Sequence, residues 1–228
     1  MKNLLSLYRP FQGSLGRQEG LKIYAGILAF IAAMTVLVWF REYQFGDEAR
    51  AAGFLTHLGI VDVKVFLSAW VMALFLNQGG LLEELGWRGY ALPLLTRRLQ
   101  SPLVAVLLVG VAWALWHFPR EIAPLLSGQQ SLSGLVSGQA LSILSCCSMS
   151  VVASYFVNIT GGSVLPAIMV HGTFNMVGGM FSTGTVGVRS ELGMEAPIMW
   201  LVAALAVLLF AGPDLGWKRR LLLRDEAS

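Results

Sequence analysis

Six apolar stretches, each long enough to cross a lipid bilayer, restrict this 228-residue chain to a narrow set of folds. In the hydrocarbon core every backbone N–H and C=O must be bonded within its own segment, so each stretch must form a helix. Apolar residues make up 56% of the chain and charged residues 13%, against about 45–50% and about 25% in soluble domains. The sequence predicts an all-α, polytopic transmembrane bundle over residues 1–228, with stretches at about 21–40, 63–82, 102–118, 138–157, 163–181 and 197–212.

The distribution of Lys and Arg predicts the orientation of the bundle, because these residues are enriched on the cytoplasmic side of a membrane. The two chain ends and the turn at Arg97-Arg98 carry ten of them, against five in the other polar joins. Residues 1–20 and 214–228 are therefore predicted to be basic cytoplasmic tails, which requires an even number of spans. Six spans fit, in the plasma membrane if the source is prokaryotic. The net charge of +3 suits membrane flanks, so no nucleic-acid partner is expected.

Few ionisable side chains lie inside the apolar stretches, where they are costly and usually mark a functional interior. Away from helix ends they are Glu83, Glu84, Arg88, His117 and His171. On a helix Glu84 and Arg88 are four residues apart and can form an ion pair. Glu83 is turned roughly 140° away from Arg88 and stays free. A purely structural pair would explain Glu84 and Arg88, but not Glu83.

His117 is predicted to meet Glu83. Both residues are equally far along the chain from the turn expected at Gln100. In an antiparallel helix pair they then sit at the same depth, about 25 Å from that turn. The alternative for His117 is a histidine that caps backbone carbonyls near a helix end. The third histidine of the chain, His57, falls in a polar join and is expected to be a solvated loop residue.

His171 and Asn175 form a second polar pair, again four residues apart on one helical face. The adjacent Gly172 allows another helix to approach closely. The pair could be an interhelical hydrogen bond with no chemistry. Combined with Glu83 and His117, however, it completes a set of one carboxylate, two imidazoles and one amide. Such a set is suited to activating water and stabilising an oxyanion.

The segment that carries Glu83 is too long for a single straight span. As one helix, residues 63–99 would extend about 55 Å, whereas the hydrocarbon core is about 30 Å thick. The segment must tilt, protrude, or break near Gly79-Gly80, and Pro93 is a second kink site. A long kinked helix that carries EExxxR and protrudes from the bilayer, with the site open towards the cytoplasm, fits best.

Three short motifs in separate hydrophobic segments resemble those of a known family. Residues 83–88 (EELGWR) match EExxxR, residues 113–117 (WALWH) are similar to FxxxH with Trp where Phe is common, and residues 171–175 (HGTFN) match HxxxN. In this order they resemble the CPBP family of intramembrane proteases, which comprises CAAX proteases and bacteriocin-processing enzymes and is also called Abi. The resemblance covers about residues 80–180, which we take as the catalytic core.

The resemblance implies an intramembrane endopeptidase. It would hydrolyse a peptide bond of a membrane-associated peptide or protein, with CAAX-like lipidated substrates and bacteriocin-type substrates as candidates. In that family pattern Glu83 with His117 activates water, and His171 with Asn175 stabilises the oxyanion. Glu84 and Arg88 support the site.

Metal and alternative functions stay open at this point. No cofactor is favoured and zinc is the possible metal, but the sequence has no HExxH. Zinc, if present, would need Glu83, His117 and His171 to converge from three helices. The alternatives to a protease are a catalytically silent membrane scaffold or regulator and a proton-coupled transporter, because intramembrane Glu and His also build proton relays.

Overall fold

The computed structural model describes residues 4–45, 63–180 and 195–225, and this part of the chain is helical without any strand. His57 lies outside the described residues. A 3-10 helix, Leu4–Tyr8, comes first, and a π-helical turn, Leu85–Ala91, separates two of the α-helices. The α-helices are α1 (Arg17–Phe45), α2 (Val63–Leu76), α3 (Gln78–Glu84), α4 (Leu92–Leu99), α5 (Pro102–Trp116), α6 (Phe118–Leu126), α7 (Leu132–Ile159), α8 (Leu165–Met180), α9 (Glu195–Ala211) and α10 (Trp217–Asp225).

Each of the six predicted stretches is occupied by helix, so the predicted all-α bundle is confirmed. Three continuous helical segments of the described chain are long and apolar enough to cross a membrane: Arg17–Leu37, Pro102–Leu126 and Leu132–Ile159. The shorter segment Pro197–Ala211 is also apolar. The first three segments contain many exposed apolar side chains, as expected of helices that face lipid.

Helix α7 is the central element of the bundle, because it packs against α5, α6, α8, α9 and α10. Small residues set the closest helix contacts. A Cβ added at Gly110 of α5 would lie 2.6 Å from Cα of Cys147 in α7. A Cβ added at Gly172 of α8 would overlap the carbonyl oxygen of Ala73 in α2. Glycine at these positions lets the backbones approach as closely as a membrane bundle requires.

The long segment 63–99 breaks near Gly79-Gly80, one of the predicted alternatives, and the break lies at Asn77. Asn77 has an extended backbone (φ −66°, ψ 118°), and its side-chain oxygen accepts a hydrogen bond from the Gly80 N–H at 2.9 Å. Asn77 is therefore the N-cap of α3, and an amide is a better cap than glycine. The second irregularity is the π-helical turn, which ends just before Pro93 enters the first turn of α4. Proline has no N–H, so Pro93 cannot continue the hydrogen-bond ladder that runs from the π-helical turn into α4.

Both ends of the described chain meet at one end of the bundle. Arg219 of α10 pairs with Glu19 of α1 at 2.6 Å, and the Ser14 N–H donates to the Leu223 carbonyl at 2.8 Å. The C-terminal segment is not a free extension, since Arg220 is buried against Asn158 at the end of α7. An even number of spans is consistent with this arrangement. That this end faces the cytoplasm stays a prediction.

The predicted orientation can be tested by labelling single cysteines. In a background with Cys146 and Cys147 replaced by Ala, we expect Arg98→Cys to react with an impermeant maleimide only from the cytoplasmic side. Gln130→Cys, in the join at the other end of α5 and α6, should react only from the opposite side, because 102–126 is long enough to span. Labelling of both positions from one side would contradict the topology.

Candidate active site

Glu84 and Arg88 form the buried ion pair that their spacing predicted. Arg88 Nη1 donates to Glu84 Oε1 at 2.8 Å, across the junction of α3 and the π-helical turn. Both side chains are almost fully buried, with 1% and 0% of their surface exposed. Arg88 Nη2 donates to Ser150 Oγ on α7 at 2.8 Å. Two charges inside a membrane bundle persist when they are paired and hydrogen-bonded in this way.

His171 joins the same buried network from α8. Its Nδ1 lies 2.8 Å from Oε1 of Glu84, the oxygen that also accepts from Arg88. With Glu84 ionised, Nδ1 carries the proton and donates it to the carboxylate. The other ring nitrogen, Nε2, is then the one available to the site. It presents a lone pair when the ring is neutral and an N–H only when the ring is imidazolium.

Glu83 is separate from the ion pair, as predicted, and is partly open to its surroundings. Its Oε2 accepts a hydrogen bond from Nε1 of Trp113 at 2.7 Å. His117 Nε2 is 3.8 Å from the same oxygen, which is an ion-pair distance rather than a hydrogen bond. The side chains of Glu83 and His117 are 24% and 23% exposed. The two groups predicted to lie at equal depth do meet, and both can reach a third molecule.

Asn175 and His171 converge on a niche beside Gly79 of α3. A Cβ added at Gly79 would lie 3.1 Å from Nδ2 of Asn175 and 3.5 Å from Nε2 of His171. Glycine therefore leaves room for one small group between the amide and the imidazole. Asn175 Nδ2 also donates to Oδ1 of Asn77 at 3.1 Å, which orients the amide. We call the space beside Gly79, between Asn175 and His171, the Gly79 niche.

The Gly79 niche and the Glu83 carboxylate lie on one face of α3. Residues 79 and 83 are four apart, and such positions are separated by about one helical turn, roughly 6 Å. The structure therefore brings all four residues predicted for catalysis around one short helix, with the buried Glu84-Arg88 pair directly behind it. A proton acceptor on one side and polar groups on the other can hold a reacting carbonyl between them.

The residues proposed for zinc are not arranged as a metal site. Among the described residues, no group of three His, Cys, Asp or Glu side chains could hold a metal ion. His171 directs Nδ1 to Glu84, and the Trp113 ring lies against both histidines, with ring centroids 4.8 Å from His171 and 6.2 Å from His117. As placed, Glu83, His117 and His171 do not converge as three ligands of a zinc ion.

Three site residues were missed by sequence reasoning. Trp113 was recognised only as a motif position, and nothing in its spacing indicates a bond to Glu83. Asn77 could have been noticed as an amide directly before Gly79-Gly80. Ser150 has no local signal, because it is one of several serines in α7. The contacts of Trp113 and Ser150 join distant parts of the chain, so no local pattern encodes them.

Comparison with known proteins gives one family match and one short match to a curated relative. The family model described as "Type II CAAX prenyl endopeptidase Rce1-like" matches residues 65–177, the region that holds every residue of the site. A curated relative, "CAAX prenyl protease 2" of Methanococcus maripaludis, is 57% identical over 37 residues. That segment is 16% of this chain and 13% of the relative. No solved structure gives a significant match.

The family match confirms the resemblance inferred from the three motifs. It supports a peptidase, and together with the apolar helices it identifies an integral membrane protein. The part of the chain that holds the site is therefore similar to the Rce1-like family of type II CAAX prenyl endopeptidases.

Proposed function

We propose that the protein is an intramembrane endopeptidase that hydrolyses a peptide bond of a membrane-associated peptide or protein with water activated by Glu83. The observation that carries the proposal is the placement of Glu83 and the Gly79 niche on one face of α3. A scaffold or a proton relay needs no such niche beside a carboxylate. The family match supports the same reaction class.

Glu83 is the proposed general base. Its Oε2 is occupied by Trp113, and Oε1 has no hydrogen-bond partner among the described residues. Oε1 takes a proton from water, and the water oxygen attacks the peptide carbonyl carbon. The carbonyl electron pair moves onto oxygen. When this intermediate collapses, the C–N bond breaks and the proton passes from Glu83 to the leaving nitrogen. His117 Nε2 is 3.8 Å from Oε2 of Glu83. We propose that it binds the attacking water and stabilises the negative charge on Glu83.

Asn175 and His171 are the proposed oxyanion stabilisers. Asn175 Nδ2 retains one N–H beyond its bond to Asn77 and can donate into the Gly79 niche. His171 can donate through Nε2 when its ring is imidazolium, and the contact of its Nδ1 with Glu84 at 2.8 Å orients the ring. Glu84, Arg88 and Ser150 then act by holding His171 in place. Donors fixed before the reaction cost no reorganisation when charge develops.

For the substrate, we propose a CAAX-like peptide or protein that is lipidated and reaches the site from the bilayer. The name of the curated relative indicates a prenyl protease, and the site lies among helices with exposed apolar side chains. A bacteriocin-type or unlipidated membrane peptide is the alternative outcome. We further propose that catalysis needs no metal, because Glu83 already supplies the base.

The experiment is a cleavage assay with the purified protein in liposomes. The substrates are a farnesylated CAAX peptide, the same peptide without the lipid and an unlipidated transmembrane peptide, each with and without a zinc-selective chelator. Cleavage of the farnesylated peptide with chelator present supports the proposal in full. Loss of cleavage with the chelator, restored by zinc, would overturn the metal-free mechanism. Failure to cleave any of the three, in folded protein, would contradict the endopeptidase.

Filling the Gly79 niche should inactivate the protein without unfolding it. In Gly79→Ala the new Cβ would lie 3.1 Å from Asn175 Nδ2 and 3.3 Å from Asn77 Oδ1, which requires shifts of only a few tenths of an ångström. It would occupy the space reserved for the oxyanion. We expect a fall in kcat of about 10²–10³, the usual loss when one oxyanion donor is removed.

The matched control is Gly86→Ala in the same assay. A Cβ at Gly86 meets no atom within 4 Å, so the same added methyl group should leave activity unchanged. Equal activity of Gly79→Ala and Gly86→Ala would show that the Gly79 niche takes no part in the reaction.

A further inference from the structure

Trp113 lies at the centre of the site and touches most of its charged and polar groups. It is buried, with 2% of its surface exposed, and lies one turn before His117 at the end of α5. Its indole N–H donates to Oε2 of Glu83 at 2.7 Å, at the short end of the range for such a bond. The donor is neutral and the acceptor is a carboxylate, so this is a charge-assisted bond.

Two buried side chains, Arg88 and His171, contact the indole ring and hold it in place. The guanidinium carbon of Arg88 is 4.9 Å from the ring centroid, a cation–π distance. The His171 ring lies 4.8 Å away between centroids. Because Arg88 and His171 are buried and bonded to Glu84, the indole has little freedom to rotate. The Trp113 N–H therefore points in a direction determined by the buried ion pair.

We propose that Trp113 is a positioning residue that selects which oxygen of Glu83 acts as the base. By binding Oε2, the indole N–H leaves Oε1 as the free acceptor for the water proton. Trp113 also connects Glu83 to the Glu84-Arg88 pair, because it contacts both Glu83 and Arg88. The orientation of the Glu83 carboxylate therefore depends on that pair. A phenylalanine, common at this place in the FxxxH pattern, would fill the volume without supplying an N–H.

The inference rests on the proposed function, in which Glu83 is the base, and its test separates the two. Trp113→Phe removes the N–H and keeps most of the ring. We expect kcat in the liposome assay to fall by about tenfold to a hundredfold, because a misdirected base loses much of its efficiency. KM should stay within about twofold, because Trp113 is buried and acts through Glu83.

The matched control is Trp70→Phe. The indole N–H of Trp70 in α2 has no hydrogen-bond partner among the described residues. Its removal costs no bond, so Trp70→Phe should retain the wild-type kcat. If Trp113→Phe keeps the wild-type kcat while Glu83→Ala is inactive, the positioning role is wrong and the proposed function stands. If Glu83→Ala is active, the proposed function fails instead.

A spectroscopic measurement tests the bond without any assay and without Trp113→Phe having to be active. The chain has seven tryptophans, so its ¹⁵N-labelled form gives seven indole N–H resonances. The Trp113 signal is the one that is missing from the spectrum of Trp113→Phe. If that variant does not fold, selective labelling assigns the Trp113 signal instead. We expect this signal to move upfield in Glu83→Ala and to keep its position in Trp70→Phe. An unchanged position in Glu83→Ala would overturn the bond and the inference.

Discussion

Glu83→Ala should abolish peptide hydrolysis while the protein stays folded. A general base contributes about 10²–10⁴ in rate, and in this site no second carboxylate can replace it, because Glu84 is committed to Arg88 and His171. Since the Glu83 side chain is about a quarter exposed, its removal leaves no buried charge behind. We expect a kcat at least about 10³-fold lower in the liposome assay, with a thermal midpoint lowered only by the loss of the single hydrogen bond from Trp113.

The control for Glu83→Ala is Glu19→Ala, which removes a carboxylate of the same type at the bundle end. Glu19 pairs with Arg219 at the surface and lies far along the chain from the site. This variant should cleave the substrate at the wild-type rate. If Glu83→Ala hydrolyses the substrate at the wild-type rate, with the same amount of each protein in the membrane, Glu83 is not the general base and the proposed mechanism is wrong.

Arg88→Leu should have the largest effect on stability. Arg88 is fully buried, donates to Glu84 and Ser150, and contacts the Trp113 ring. Without it, the Glu84 carboxylate stays buried with His171 as its remaining partner. Breaking a buried ion pair on one side costs about 3–5 kcal/mol, which at this chain length lowers the unfolding midpoint by roughly 6–20 °C. Thermal unfolding in detergent, followed by tryptophan fluorescence, measures the change.

Arg219→Leu is the matched comparison for Arg88→Leu, because it also removes an arginine that pairs with a glutamate. The Arg219 and Glu19 side chains are 42% and 56% exposed, so solvent and salt screen their attraction. A surface pair contributes at most about 1 kcal/mol. Midpoints for Arg88→Leu and Arg219→Leu that agree within error would mean that burial gives the Glu84-Arg88 pair no special importance.

The division of roles between the two adjacent glutamates could be predicted from sequence, because it depends only on helical geometry. Glu84 and Arg88 share a face, and Glu83 does not. The meeting of Glu83 with His117 was also predictable, since an antiparallel pair around the Gln100 turn fixes relative depth. The turn is where it was expected, with Gln100 in a left-handed conformation (φ 52°).

What the sequence could not supply were contacts set by the rotation of one helix against another. The bond from Trp113 to Glu83 and that from Arg88 to Ser150 join residues 30 and 62 positions apart. A tryptophan or a serine in an apolar helix does not by itself indicate which distant residue it will bind. The break near Gly79-Gly80 could be predicted only approximately, because the side-chain cap of Asn77 decides at which residue the helix restarts.

Composition does not show how the charged C-terminal segment packs. Residues 214–228 are predicted to be a basic cytoplasmic tail because of their Lys and Arg, and that location stays a prediction. The structure docks α10 on the bundle and buries Arg220 beside Asn158, whose amide also donates to the Leu215 carbonyl at 2.9 Å. A buried arginine with a buried amide partner cannot be distinguished from a solvated one by counting charges.

The π-helical turn between Glu84 and Leu92 has a consequence for how this family of sequences can change length. A π turn accommodates one more residue than an α-helix of the same reach. Deleting a residue such as Gly86 would restore α-helical winding and leave the segments on either side of the turn facing as they do now. Arg88 would then follow Glu84 by three residues instead of four, a spacing that still puts both side chains on one helical face. Chains that keep this chemistry should therefore tolerate the loss of one residue between the second glutamate and the arginine.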